Sequence, residues 1–302
     1  MAKNQLDLFT PLMGSVVPAK DQQDLMTYPF FSLSKKKRTT AITYDDGRVK
    51  VEVAGTEEHG IASIYDADIL IFVASHLVSL RNKGHEPSRV VKMSRYDILK
   101  FLDKGTSGTQ YNRLKESLDR LQSTSIKTTI TRENSRYKKT QRFSWINNYE
   151  VVENKTTGTP YAIKFELNEW LYNGILEGKI LTLPRHYFKI EGGLERFLFK
   201  LCRKVVGNHN GELQMKIETV HSRSGLTRKP GAFRKMVEKI VEEQSVPDYW
   251  IVLAQRASTE DWYICGYSRK FVKSHQEALE RVSFLALDRA LIENSRRDVT
   301  VR

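Results

Sequence analysis

The chain has 302 residues, of which 40% are hydrophobic and 28% are charged, and its formal net charge is +13. This apolar content is enough for folded cores and excludes a disordered chain, and the length predicts more than one domain. Two cysteines are too few for a disulfide framework or a four-cysteine zinc site. The N-terminus has no apolar signal segment, and Asp68 and Ser75 interrupt the most apolar stretch, so we expect a cytoplasmic protein without a membrane span.

The positive charge is concentrated in two blocks. Residues 94–143 hold twelve Lys and Arg against five Asp and Glu, and residues 184–273 hold seventeen against ten, so each block has an excess of +7. Solvated surface side chains are the plainer explanation, but they do not account for two concentrations separated by nearly neutral sequence. We therefore favour a nucleic acid as the partner.

The N-terminal region predicts a tail followed by a hairpin. Residues 1–29 lack sustained periodicity and contain proline and glycine, so they are predicted to form a mobile tail. Two strand-like segments then flank Asp45, Asp46 and Gly47, a sequence typical of a hairpin turn.

From Asp66 to about Leu80 apolar residues recur at helical spacing, and Gly84 marks the end of this predicted helix. The apolar stripe is wider than one face requires. Burial inside the first domain and a dimer surface explain it equally well, and Leu70 and Val78 are the positions that would distinguish them.

A compact series of elements follows in the first basic block. Residues 89–93 predict a short strand. Ser94 begins a predicted helix that ends at Leu102, and after a glycine turn Ser107 begins a second helix that ends at Leu121. Both serines have the spacing of a capping box.

The next segments complete a recognisable order. Residues 126–131 and 141–146 predict a hairpin around the basic tip 132–139. Strand, helix, short turn, helix and basic hairpin are typical of a winged helix-turn-helix. Residues 149–183 add a strand, a short helix and another strand, and Pro184 is the predicted domain boundary.

The second basic block repeats this order. Its predicted elements are a helix over 194–205, a strand over 213–217, helices over 218–224 and 230–243, strands over 249–254 and 262–267, and a last helix from Ser274 to about Asn294. The predicted fold class is therefore α+β, with two tandem winged helix-turn-helix domains, 30–183 and 184–273, a disordered N-terminal tail, 1–29, and a C-terminal helical tail, 274–302.

The second helix of each predicted helix-turn-helix motif supplies candidate DNA-binding residues. The outward residues of the first are Thr109, Gln110, Asn112, Arg113 and Ser117. Arginine pairs with guanine and glutamine or asparagine with adenine, so this set suits base edges as well as phosphates. On the second, Arg234, Lys235 and Lys239 face outward, and Arg228 and Lys229 lie in the turn before it. That set has no amide side chain, so we expect it to hold phosphates more than it reads bases.

The hairpin tip adds a third group. Arg132, Arg136, Lys138 and Lys139 would reach a phosphate backbone or a minor groove if this tip is the wing. Ordinary solvated helix and loop surfaces would explain all three groups of residues as well.

Enzymatic classes find little support in the sequence. There is no G-x-x-x-x-G-K-[ST] phosphate loop, and the seven histidines never form the His-x-His pair of a metal-dependent nicking enzyme. His76 lies on the apolar stripe and is interpreted as a core residue. We predict no catalytic site, no metal and no cofactor.

A short peptide in the tail has its own interpretation. Gln5, Leu6, Asp7, Leu8 and Phe9 place two adjacent apolar residues in a segment with no core to join. The peptide resembles the QL[S/D]LF sequence by which bacterial replication proteins bind the β sliding clamp, and it matches at all five positions.

Three segments resemble a known family, the plasmid replication initiators of the replication initiator protein A type. They are residues 28–35 (YPFFSLSK), 42–47 (ITYDDG) and 60–68 (GIASIYDAD), and the resemblance extends to residue 267. It implies a bacterial protein that binds repeated double-stranded sites, or iterons, at a plasmid origin, helps to melt adjacent DNA and recruits host replication proteins. Related initiators repress their own gene as homodimers and initiate as monomers.

Two other classes of function remain open from the sequence. A transcriptional regulator would share the winged helices and the basic faces, although a clamp-like peptide would be unexpected in it. A rolling-circle nicking endonuclease would share the origin, but it would need the missing His-x-His pair.

Overall fold

The computed structural model of the protein describes residues 17–130, 139–153, 155–156, 160–207, 211–256, 259 and 261–284. These residues divide into two compact units. The first unit contains residues 17–25 and Pro29–Lys189, and the second contains Met26–Tyr28 and the described residues from Ile190 onward.

The division falls after Lys189 rather than at Pro184. Arg185–Lys189 form a short 3-10 helix. Its Phe188 is buried, with its ring centroid 5.7 Å from that of Phe101. Because a buried aromatic side chain stabilises the core it packs against, the segment that follows the proline belongs with the first unit.

The first unit contains four α-helices and nine strands among its described residues. In chain order they are β1 (Ala19–Gln22), β2 (Ile42–Asp45), β3 (Lys50–Ala54), α1 (Ala67–Asn82), β4 (Val90–Ser94), α2 (Arg95–Phe101), α3 (Gly108–Ser123), β5 (Ser125–Thr128), β6 (Gln141–Ser144), β7 (Ile146–Glu153), β8 (Pro160–Leu167), α4 (Glu169–Leu176) and β9 (Ile180–Leu183). The strands form three antiparallel sheets, with the orders β2-β3-β5-β6, β4-β8-β7 and β1-β9.

The prediction that residues 1–29 form a mobile tail is wrong for its last part, because Ala19–Gln22 form strand β1. β1 pairs with β9 so that Ala19 lies opposite Leu183, and the main-chain amide of Lys20 donates to Ser75 Oγ at 2.8 Å. A 3-10 helix, Gln23–Met26, follows directly. Local periodicity could not reveal this strand, because its partner lies far along the chain. Residues 1–16 lie outside the described part of the protein.

The second unit contains four helices and three strands among its described residues. They are α5 (Gly193–Val205), β10 (Glu212–Lys216), α6 (Ile217–Ser224), α7 (Pro230–Glu243), β11 (Tyr249–Gln255), β12 (Trp262–Ser268) and α8 (His275–Phe284). The sheet has the order β10-β12-β11. Helix α8 begins where the sequence predicted, and Ala278, Leu279 and Val282 join the buried core behind β11 and β12. Residues 285–302 lie outside the described residues.

Both units share one topology, which confirms the predicted fold class. Each runs from a long helix through a short strand and two helices to a hairpin, α1-β4-α2-α3-β7-β8 and α5-β10-α6-α7-β11-β12. In each, the short strand pairs with the second strand of the hairpin, in the sheets β4-β8-β7 and β10-β12-β11. This is the order of a winged helix-turn-helix, in which the hairpin is the wing.

The sequence assigned the wrong hairpin as the wing of the first unit. β5 and β6 do form an antiparallel hairpin, but they extend the sheet of β2 and β3. The strand that precedes the helix-turn-helix, β4, pairs instead with β8. The wing is therefore β7-β8, and β5-β6 is an insertion between α3 and the wing.

The structure also accounts for the wide apolar stripe of α1. Every residue from Ala67 to Val78 is buried, including Leu70 and Val78 at 2% and 6% exposure. The helix packs on β1, α2 and α4 of the same unit. Burial within the first unit thus explains the stripe, and these two residues offer no exposed surface for a second copy of the chain.

Candidate nucleic-acid interface

The helix-turn-helix of the first unit is built from local sequence features. Ser94 precedes α2 in an extended conformation, and its hydroxyl caps the helix by accepting from the Tyr96 amide at 3.1 Å. The predicted capping box would instead pair Ser94 with Asp97. Ser107 also takes the N-cap position, of α3, but its side chain makes no capping bond. Both predicted capping boxes are therefore wrong, although both helices begin where they were expected.

Helix α3 presents most of its predicted DNA-binding residues to solvent. Thr109, Asn112 and Arg113 are exposed, and Gln110 is half-buried. Ser117 is used within the helix, because its hydroxyl donates to the Arg113 carbonyl at 2.9 Å and accepts from Arg120 at 3.2 Å. The first four residues share the N-terminal half of the helix, the part that contacts base edges in helix-turn-helix proteins.

An ion pair holds the other half of α3. Arg120 donates from Nε and Nη2 to the two carboxylate oxygens of Asp66, at 2.9 and 2.8 Å. Asp66 is only 3% exposed, and it also accepts from the amide and hydroxyl of Ser63. This two-point bond raises the pKa of Arg120 and gives the helix one orientation on the N-terminus of α1. Tyr149 adds a hydrogen bond from β7 to Asp119.

Helix α7 presents a more basic surface. Arg228, Lys229 and Lys235 are exposed. Arg234 and Lys239 are each paired with a glutamate one turn further on, Arg234 Nε with Glu238 at 2.8 Å and Lys239 with Glu243 at 3.5 Å. The predicted residues of this helix therefore divide into three exposed cations and two that are already paired.

The end of α7 is held by the side chains of Gln244 and Arg269. Gln244 follows the helix in a left-handed conformation, and its side-chain amide donates to the Ile251 carbonyl at 2.8 Å and accepts from the Ile251 amide at 3.1 Å. Ile251 lies on β11, an edge strand, so one side chain satisfies an otherwise unpaired part of that edge. Arg269 adds a bond to the Gln244 carbonyl at 2.9 Å.

In the sequence, the predicted wing residues lie between β5 and β6 and not between the wing strands β7 and β8. Arg132, Arg136 and Lys138 lie outside the described residues, and Lys139 is exposed just before β6, in the inserted hairpin. The exposed cation between the actual wing strands is Lys155. Sequence reasoning missed it because β7 was not predicted. The valines of β7 and Gly158 in the following segment are the sequence features that could have indicated a hairpin there.

Three other predictions concern residues away from these helices. The clamp-like peptide, residues 5–9, lies outside the described part of the chain. His76 is buried as expected, and burial, with a contribution from Lys83, lowers its pKa to about 4. Cys202 and Cys265 are free and buried, and burial raises the pKa of both thiols. Within the described ranges, no three His, Cys, Asp or Glu side chains are placed to hold a metal ion.

Among the described residues, no helix has the length and apolar character needed to cross a membrane. Both helix-turn-helix motifs present exposed cations or polar side chains at their second helix. The fold and this surface define a tandem winged-helix protein of the DNA-binding type.

Comparisons with known proteins identify the family. The family model for Replication initiator protein A matches residues 20–251. A relative from Wigglesworthia glossinidia brevipalpis, named "Putative replication protein", is 30% identical over 226 residues, which are 74% of this chain and 81% of the relative. The chain belongs to the Replication initiator protein A family, as its sequence motifs predicted, and it has the role of a replication initiator.

A solved structure shares the fold. The crystal structure of domains 2 and 3 of RctB superposes with a TM-score of 0.55, covering 83% of this chain and 98% of that chain, at 12% sequence identity. At this identity the likeness concerns the fold alone. It extends over most of the chain rather than one winged-helix unit.

Proposed function

We propose that this initiator binds repeated double-stranded sites at a plasmid origin in a sequence-specific manner, with one DNA-reading surface on each winged-helix unit. The observation that carries the proposal is the repetition of one topology with an exposed polar or basic second helix in both copies. The side chains concerned are Thr109, Gln110, Asn112 and Arg113 on α3, and Arg228, Lys229, Lys235 and Arg234 around α7.

The two surfaces support both parts of DNA recognition. Exposed Arg228, Lys229 and Lys235 can each neutralise a phosphate, which gives affinity that falls with added salt. Asn112 and Arg113 add groups that discriminate adenine and guanine edges in the major groove. If both units bind one site, their major-groove contacts lie roughly 10 base pairs apart, centre to centre.

Selection from a randomised duplex library with the full chain at physiological salt tests this function. We expect a two-part site. Arg113→Ala should weaken the base preference in one part, and Lys235→Ala should weaken binding to all duplexes alike. Binding that is sensitive to salt but shows no sequence enrichment would contradict sequence-specific recognition.

The wing assignment leads to a matched pair of variants. Lys155→Gln removes the exposed cation of the β7-β8 hairpin, and Lys139→Gln removes one from the inserted β5-β6 hairpin. Because a wing lies beside the bound duplex, we expect a larger loss of affinity and of salt dependence for Lys155→Gln. An equal or larger effect of Lys139→Gln would favour the inserted hairpin as the DNA contact.

The proposal also includes the later steps of initiation. The bound initiator promotes opening of an adjacent AT-rich element and recruits host replication proteins, including the β sliding clamp through residues 5–9. Deleting residues 5–9 should abolish binding to purified clamp while leaving duplex binding intact. Clamp affinity that survives the deletion would show that residues 5–9 are not the clamp-binding peptide. Repression of its own gene would follow from a binding site within its promoter.

A further inference from the structure

Two residues from different elements hold the side chain of Arg234. Glu238, one turn further along α7, accepts from Nε at 2.8 Å. Trp262, at the start of β12, lies under the guanidinium, with Cζ 3.6 Å from the ring centroid. None of the contacts within the described residues uses the two terminal nitrogens of Arg234, Nη1 and Nη2.

We propose that Arg234 reads one guanine in the major groove and that Glu238 and Trp262 are its positioning residues. The inference rests on the proposed function and changes the role expected for the second unit, which the sequence assigned to phosphates. Guanine presents O6 and N7 on its major-groove edge, two acceptors that match the parallel N–H donors of an arginine fork. With Nε bonded to Glu238, the free donors are those that can form this pair.

The carboxylate of Glu238 favours a base over a phosphate as the ligand. It lies within hydrogen-bond distance of the guanidinium, so it offsets the positive charge there and repels a second anion. A guanine edge carries no net charge and does not meet this repulsion. The neighbouring Lys235 is exposed and has no carboxylate partner among the described residues, so it suits a phosphate.

The position of Arg234 agrees with this role. It is the fifth residue of α7, which begins at Pro230, and the N-terminal part of the second helix is the part that reaches base edges. Trp262 begins the second strand of the wing hairpin β11-β12. Contact with both elements restricts the rotamers of a long side chain before DNA binds, which lowers the entropy lost on binding.

The test uses the full chain and the site selected by the wild-type protein. Each base pair of that site is replaced in turn, and each guanine is separately replaced by 7-deazaguanine, which lacks the N7 acceptor. We compare the wild type with Arg234→Lys, which keeps the charge but not the fork, and with Lys235→Gln as the control on the same helix. Thermal unfolding of each variant verifies its fold.

We expect the wild type to prefer one guanine by about 10- to 100-fold and Arg234→Lys to lose that preference at this position alone. Lys235→Gln should instead weaken binding to all sequences alike and reduce the salt dependence. Glu238→Gln, which keeps the size of the side chain, should reduce the same preference and provides the test if Arg234→Lys does not fold.

Two results would overturn the proposal, and they have different consequences for the proposed function. If Arg234→Lys or Glu238→Gln weakens all duplexes equally, Arg234 is a phosphate contact, and sequence-specific binding by the chain still stands. If the wild type itself shows no base preference at any position, both the guanine contact and the proposed function fail.

Discussion

The two winged-helix units share a topology but hold their second helix by different chemistry. In the first unit a buried carboxylate does so, with Asp66 bonded at two points to Arg120 of α3. In the second unit a neutral amide does so, with Gln244 bonded to both main-chain groups of Ile251. The second helix is thus held by an ion pair in the first unit. In the second unit it is held by two hydrogen bonds between uncharged groups and one from Arg269 to the Gln244 carbonyl.

This difference shows that topology constrains where a helix lies but not which interactions hold it there. A buried ion pair is costly to break by removing one partner, because the other charge stays desolvated. A neutral pair has a smaller penalty and little dependence on salt. The two units should therefore respond differently to substitution, and the following predictions are ordered from the largest expected effect to the smallest.

The largest effect should come from the aromatic cluster of the first unit. Trp145 is fully buried and lies against Phe30, Phe31, Phe143 and Trp170, with ring centroids 4.8 to 6.5 Å away. Trp145→Ala should lower the free energy of unfolding by about 3–5 kcal/mol because it leaves a large cavity. Urea denaturation measures this loss, and a change below about 1 kcal/mol would contradict the packing described here.

The ion pair of the first unit should rank next. Arg120→Met leaves the carboxylate of Asp66 buried without its guanidinium partner, and we expect a loss of about 3 kcal/mol in the free energy of unfolding. The double variant Asp66→Asn/Arg120→Met should recover part of this loss. A double variant that loses the sum of the two single effects would show that these residues do not interact.

The neutral anchor of the second unit should contribute less. Gln244→Ala removes the bonds to Ile251 and should cost about 2 kcal/mol. Because no ion pair is broken, we expect the same cost at low and high salt. Equilibrium unfolding in urea at two salt concentrations makes the comparison, and a cost that depends strongly on salt would contradict a neutral anchor.

A buried histidine should make the stability depend on pH. The pKa of His76 is about 4 in the folded protein, below its ordinary value of 6.5, so the unfolded chain binds more protons between these values. Stability should therefore fall by about 1 kcal/mol from pH 7 to pH 5.5 through this residue. His76→Leu should remove that part of the pH dependence, and an unchanged pH profile would exclude His76 as its source.

The second unit offers a comparison for this effect. Burial, with a smaller contribution from Arg269, also lowers the pKa of His275, whose ring stacks on Trp250. Its contribution to stability should therefore have the same sign, with stability lost as the pH falls. A gain in stability on acidification that disappears in His275→Leu would contradict this direction.

The smallest effect concerns the start of α7. Gly231 lies in the first turn, and a Cβ atom added there would meet nothing within 4 Å. Gly231→Ala should raise the free energy of unfolding by about 0.5 kcal/mol, because it reduces the freedom of the unfolded chain. Thermal unfolding would detect this gain, and a loss of stability would show that the glycine serves the folded protein.

Many local elements were predictable from the sequence. The helices of both helix-turn-helix motifs begin within a few residues of their predicted starts, because apolar spacing, Ser94 and Pro230 are local features. The exposed positions Thr109, Asn112 and Arg113 followed from the same periodicity. The family was also recognisable, since its motifs are contiguous stretches of sequence.

The errors concern pairings between distant segments. The hairpin β5-β6 was correctly predicted as a pair but wrongly assigned as the wing. The strand that pairs with β4 is β8, which lies about seventy residues further along the chain. Strand β1 was assigned to a tail because its partner β9 lies further still along the chain. A hydrogen-bonded pairing at such distances has no periodicity of its own to be read locally.

The candidate DNA-binding site was likewise predictable only in part from the sequence. Charge and periodicity placed Arg234 on the outer side of a basic helix, and they suggested a phosphate contact. Its two partners became visible only in the folded protein, since Trp262 lies on a different element and the bond to Glu238 depends on side-chain geometry.

The sequence by itself determined the repeated helix-turn-helix motifs, the basic character of their surfaces and the family. Those properties depend on residues close together in the chain, where spacing predicts structure directly. Tertiary structure decided which hairpin is the wing, why α1 is buried on all sides and how α3 and α7 are each held. These depend on contacts between residues that only folding brings together, and many different sequences can satisfy the same contacts.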